Sequence, residues 1–210
     1  MDLISFILHI DQHLLEFVRD YGVWVYAILF LIIFVETGLV VMPLLPGDSL
    51  LFAAGAIAAT GAMDPVLLSG LLLLAAVLGD SVNYQIGRYI GPRVFDMNLR
   101  IIKRDHLLKT QSFFEKHGGK TIIFARFLPI IRTFAPFIAG VSHMHYPRFL
   151  MFNLIGGTAW ILLLLWLGYF FGNLPIVKDN FTYVIFAIIG ISLLPAVIEM
   201  LRQLSAKSKK

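Results

Sequence analysis

Residues 121–145 read TIIFARFLPIIRTFAPFIAGVSHMH. Two arginines, Arg126 and Arg132, and two prolines, Pro129 and Pro136, interrupt a run that is otherwise apolar. The apolar pieces are too short to cross a bilayer singly, since a spanning helix takes about 20 residues. Proline removes a backbone donor and clashes with the preceding turn, so the run cannot be one straight span. The expected structure over residues 120–146 is a re-entrant helical hairpin, broken at Pro129 and Pro136 and closed at Gly140. Such backbone persists at membrane depth only where protein or a water-filled cavity covers it.

The same punctuation occurs upstream. Residues 22–45 are apolar except for Glu36 and Thr37, and they end in Met42-Pro43-Leu44-Leu45-Pro46-Gly47-Asp48. Pro43, Pro46 and Gly47 together stop a helix. The following SLLFAAGAIAATGA (49–62) is too short to span. Residues 22–62 therefore read as a first re-entrant hairpin. Each hairpin precedes a full span, over 65–90 and over 148–172, and a last span is expected over 181–201. Pro65 suits the first turn of its helix, and Gly156-Gly157 allows another helix to approach closely. The fold class is thus an all-α polytopic membrane protein, built as an inverted repeat of two opposed re-entrant hairpins. Paired interrupted segments of this kind mark the binding site in inverted-repeat transporters.

Composition supports lipid as part of the solvent. Charged residues make up 14% of the 210-residue chain, well below the roughly 25% of a soluble domain. Without cysteine there is neither a disulfide framework nor a thiolate metal site. No carboxylate–histidine motif suggests a metal, and no cofactor is expected.

Charge is unevenly placed. Residues 1–20 form an amphipathic interfacial helix with Asp2, Asp11, Glu16 and Asp20 against Arg19 alone. The link 91–119, with an amphipathic helix around Asp105–Lys116, is rich in Lys and Arg, as is the tail 202–210. Basic loops stay cytoplasmic, so link and tail face the cytoplasm, and the first hairpin dips from outside while the second dips from inside. Basic clusters beside apolar spans are topology signals, and nucleic acid is not the expected partner.

The hairpins bring four charges to membrane depth, Glu36 and Asp48 from the first and Arg126 and Arg132 from the second. Each costs at least about 2.5–3.5 kcal/mol to insert, which favours a functional reason for keeping it. Arginine forks bind phosphate in a bidentate way and stay charged in low dielectric, so Arg126 and Arg132 are the candidate phosphate ligands. Carboxylates in a partly apolar cavity can exchange protons near neutral pH, which makes Glu36 and Asp48 the candidates for proton coupling. The plainer readings are salt bridges between the hairpins, and Asp48 as N-cap of a helix starting at Ser49. Asp80 and Asn83, one turn apart, extend the polar path or simply hydrogen-bond between helices. Trp160 and Trp166 read as packing or lipid-facing groups.

Three blocks, ETGLVVMPLLPGDSLLFAAGA (36–56), GDSVNYQIGRYIG (79–91) and FARFLPIIRTFAPFIAGVSHM (124–144), resemble the signatures of the DedA family, also called the VTT or SNARE-associated domain family. The resemblance covers nearly the whole chain. It implies a multi-pass bacterial inner-membrane protein with opposed hairpins and functional residues matching Glu36, Asp48, Arg126 and Arg132. It also implies roles in envelope maintenance that depend on the proton-motive force. Some members are assigned as flippases returning undecaprenyl phosphate to the cytoplasmic face, and eukaryotic relatives scramble phospholipids. The expected function is a proton-motive-force-dependent undecaprenyl phosphate flippase, a transporter rather than an enzyme, with a membrane lipid and protons as partners. Alternatives are a proton-coupled exporter of small cations or drugs, a phospholipid scramblase, and a lipid phosphatase using His143 or His145. Homo-oligomerisation stays open.

Overall fold

The structure, a computed structural model, describes residues 21–39, 47–91 and 104–179. Every regular element among them is helical. They are α1 (Gly22–Gly38), α2 (Gly47–Ala58), α3 (Pro65–Ile90), α4 (Arg104–His117), α5 (Thr121–Ala125), α6 (Pro129–Val141), α7 (Tyr146–Gly172) and α8 (Pro175–Asp179), with a 3₁₀ turn at Gly118–Lys120 between α4 and α5. The interfacial helix expected over 1–20, Pro43 and Pro46, the span over 181–201 and the tail 202–210 lie outside the described residues.

Helices α3 and α7, of 26 and 27 residues, are long and apolar enough to cross a membrane. At 1.5 Å per residue each reaches roughly 40 Å, against a hydrocarbon core of about 30 Å. Both keep large apolar side chains exposed, among them Leu74, Leu78 and Val82 on α3 and Leu154, Leu163 and Phe170 on α7. Contiguous exposed apolar surface is costly in water and ordinary in lipid. By contrast α1, α2 and α6 are short, with 17, 12 and 13 residues.

Local chemistry explains the helix boundaries. Pro65 opens α3 as its first residue, where its missing N–H costs nothing. Helix α4 stops at His117 because Gly118 adopts a left-handed φ of 57°. Between α5 and α6 the chain makes a tight turn, with the Phe127 N–H on Phe124 O at 3.1 Å and the Leu128 N–H on Ala125 O at 2.9 Å. Leu128 is extended (φ −120°, ψ 102°), the conformation that a following proline imposes on its predecessor. The break thus falls on Leu128, and Pro129 starts the next helix. Pro136 does not break the chain, contrary to the expectation above: it lies inside the continuous α6. Its missing N–H still deprives the Arg132 carbonyl of its helical partner.

The described residues divide into two compact units. One takes 21–25, 47–65 and 164–179, and the other takes 26–39, 66–91 and 104–163. In the first, α2 lies against the last turns of α7. A Cβ on Gly55 would strike Leu165 O, with Tyr169 N at 2.9 Å, and one on Gly168 would strike Phe52 O. In the second, α6 lies against the last turns of α3. A Cβ on Gly140 would strike Tyr84 O, with Arg88 N at 2.7 Å, and one on Gly87 would strike Phe137 O. The second unit adds an apolar core of Phe134, Phe137, Ile138 and Val141, extended by Tyr84, Ile122, Ala139 and Phe149, with Phe114 of α4 packed on both groups.

Candidate functional site

Four charged side chains of the second unit form two ion pairs. Arg126, at the C-terminal end of α5, directs Nη2 to Oδ2 of Asp80 and, at 2.5 Å, to Oδ1 of Asn153 on α7. Arg132, in the first turn of α6, directs Nη2 to Oε1 of Glu36 near the end of α1. Glu36, Asp80 and Arg126 are buried, and the Arg132 side chain is 11% exposed. Trp160 of α7 is buried against both guanidinium groups, its ring centre 5.4 Å from Arg126 Cζ and 4.8 Å from Arg132 Cζ. An aromatic face attracts a cation at that range, so one indole offsets part of the repulsion between two arginines.

The elements are held by polar contacts as well as packing. Asn83 Nδ2 donates to the carbonyls of Thr37 on α1 (3.1 Å) and Thr133 on α6 (3.0 Å), tying both to α3. The Thr37 carbonyl is among the last of α1, where no intrahelical donor remains. Asn153 Nδ2 donates to Val77 O at 3.3 Å, which fixes its amide so that Oδ1 faces Arg126. The Tyr84 hydroxyl donates to the Met144 carbonyl at the α6–α7 turn. That turn closes α6, with His143 at φ 52° and bonds from His143 N–H to Gly140 O and from Met144 N–H to Ala139 O. The pattern is a Schellman ending that normally uses glycine, so His143 has a local backbone role.

Arg126 remains incompletely satisfied. Its Nε and Nη1 are buried and have no hydrogen-bond partner among the described residues. A buried guanidinium with idle donors is a costly arrangement in a folded chain and a natural receptor for an anion. Beside α3 lies an open cavity of about 410 Å³ walled largely by Phe34, Leu78, Val82 and Ile86, with Ser81, Gln85 and Tyr146 as its polar members.

Such a cluster of buried charges, set among short broken helices beside two apolar spans, invites comparison with known membrane proteins. The VTT domain matches residues 45–170. The chain belongs to the VTT-domain, or DedA, family. Protein DedA of Escherichia coli K12 is 56% identical over 210 residues, covering 99% of this chain and 96% of the relative. An uncharacterised membrane protein of Mycobacterium leprae is 51% identical over 168 residues, covering 80% and 75%. The inner membrane protein YqjA of E. coli K12 is 39% identical over 152 residues, covering 72% and 69%. No solved structure matches the chain. This member of the VTT family is a membrane protein: its relatives are named so, and two of its helices have the length and hydropathy to span.

Within the family frame, the sequence-derived candidates fall as follows. Glu36, Arg126 and Arg132 come together with Asp80, and Asn83 lies in the same buried layer. Asp80, expected as a supporting group, is the direct partner of Arg126. Asp48 belongs to the other unit and is exposed in the first turn of α2, which starts at Gly47 rather than Ser49, so it is not the cap. Gly47 is the first residue of that helix. Two members were missed. Trp160, read as packing or lipid-facing, is buried against both arginines. Asn153 had a usable signal, being the one amide inside the apolar run 149–172.

Proposed function

We propose that this chain is a lipid-phosphate transporter of the bacterial inner membrane, a proton-motive-force-dependent flippase for undecaprenyl phosphate rather than an enzyme. The observation that carries the reading is Arg126, a buried cation with two idle nitrogens, sharing one indole with a second arginine. Two guanidinium groups so arranged suit a dianionic head group. The apolar cavity and the exposed apolar faces of α3 and α7 suit a hydrocarbon tail that stays in lipid. In this reading α1–α2 and α5–α6 are re-entrant hairpins facing each other from outside and inside, and the C-terminus is cytoplasmic. Glu36 and Asp48 carry protons, or else release the arginines in alternation. The identity of the lipid comes from the family resemblance.

The test is transport in proteoliposomes by protein that is inserted and monodisperse. Arg126→Ala and Arg132→Ala should each abolish polyprenyl phosphate flipping. Normal flipping by both variants would refute the phosphate clamp. Glu36→Gln should flatten the pH profile of transport, and an unaltered profile would remove Glu36 as proton carrier. Flipping at equal rates in both directions without a gradient would favour a scramblase instead. A cation exporter is less well supported, because Glu36 and Asp80 already face arginines.

A further inference from the structure

Arginine offers an anion two forked edges, one made by Nε with Nη2 and one by Nη1 with Nη2. Both use Nη2. In Arg126 that shared nitrogen is the occupied one, one side held by the Asp80 carboxylate and the other by the Asn153 amide oxygen. The nitrogens left idle, Nε and Nη1, belong to different edges. A phosphate can therefore touch Arg126 at one point as the site stands, but it can grip either edge only by displacing Asp80 or Asn153 from Nη2.

We infer that Asp80 is an internal competitor for the head group: its carboxylate occupies the fork at Arg126, and an incoming phosphate binds by exchanging with it. The inference rests on the phosphate-clamp reading and adds a positioning residue to it. Geometry favours exchange over a permanent strut. Asp80 engages one nitrogen of Arg126 instead of making the bidentate pair that a structural ion pair favours. Asn153 is anchored independently through Val77 O, so it can hold the guanidinium in place while the carboxylate leaves. Trp160 stacks on the same guanidinium and needs neither edge. Exchange also answers an energetic problem. A permanently bound phosphate would never be released, whereas a tethered carboxylate restores the empty site at every cycle. The swap keeps an anion on Arg126 throughout, and the displaced Asp80 carboxylate, buried without its cation, takes up a proton.

The test is equilibrium binding of a short-chain polyprenyl monophosphate to the full-length chain in nanodiscs, with the corresponding polyprenol as blank. Asp80→Asn keeps an acceptor but removes the competing charge, and it should bind the phosphate about tenfold more tightly than the wild type. Asn153→Asp installs a second competitor at Nη2 and should bind about tenfold more weakly. If Asp80 is only a strut, Asp80→Asn leaves affinity unchanged or lowers it, and that result overturns the inference. Should Asp80→Asn fail to fold, Asn153→Asp decides, unchanged or tighter binding being the contrary result. On the wild type, adding the phosphate and not the polyprenol should alter a carboxylate band in the infrared difference spectrum; a silent carboxylate region overturns the exchange without any variant. Arg126→Ala separates the two ideas. If it binds the probe normally, the clamp itself fails. If it loses the probe while Asp80→Asn gains nothing, the clamp stands and the exchange falls.

Discussion

The contact of α2 with α7 and the contact of α6 with α3 use one device in one register. Gly55 faces the carbonyl of Leu165 and the amide of the residue four later, and Gly140 faces Tyr84 and Arg88 in the same way. The reciprocal glycines, Gly168 and Gly87, each stand three residues beyond that carbonyl and face the residue three before the first glycine, Phe52 or Phe137. The sequences around the two arms, FAAG and FIAG, carry the match in four letters. What differs is the chemistry nearby. The residues that meet at the α2–α7 contact, Phe52, Gly55, Leu165, Gly168 and Tyr169, are uncharged, while α6 and α3 also bring Arg132, Asp80 and Asn83. The repeated part sets how closely helices approach in lipid, where small residues take over much of the role of the hydrophobic effect. The unrepeated part holds the charges, and that division separates fold from function within one repeat.

The sharpest way to break this comparison is to remove a charge. Arg126→Ala leaves Asp80 buried without its cation and should destabilise the protein by about 3–5 kcal/mol. Thermal unfolding in detergent measures it, and Asp80→Ala in the same chain should recover part of the loss. A double variant no better than the single would mean that the pair is not the source. Next come the glycines. Gly140→Ala and Gly55→Ala push a methyl into a backbone carbonyl and should cost about 1–3 kcal/mol each, by similar amounts. A large cost in one and none in the other would dissolve the equivalence. Trp160→Phe keeps a ring beside the arginines and weakens its pull, for an expected loss of about 0.5–2 kcal/mol. Trp166→Phe, whose ring contacts are Tyr169 and Phe170 of its own helix, should cost less. The smallest effect concerns how the arms end. His143→Gly removes a side chain from a left-handed position and should be neutral or stabilising by up to about 1 kcal/mol. A clear loss would give the imidazole a role beyond the turn.

Much of the fold is legible in the residues. Pro65, the apolar run after it and Gly91 delimit α3, and Gly118 ends α4, because these residues act on their own backbone. Pro129 announces a break, although it acts on Leu128 before it. Pro136 misleads, since a proline in a packed helix is tolerated where tertiary contacts hold the turn. The site is legible as a list of charges and illegible as a set of pairs. Arg126 meets Asp80 and Arg132 meets Glu36 across separations of 46 and 96 residues, which helix packing decides and local pattern does not. Trp160 looks like any membrane tryptophan until its neighbours are known, whereas Asn153 carries a local signal as the one amide in an apolar run.

The extended residue at Leu128 makes chain length a functional quantity. Arg126 ends one helix and Arg132 turns with the next, so their relative direction depends on how many residues separate them. One residue more or fewer rotates the α6 face by about 100°. That phase error would carry Arg132 away from Glu36 and Trp160 while leaving composition, hydropathy and every charged residue intact. Between these two arginines, counting matters more than identity: substitutions there can be absorbed by packing, and insertions cannot.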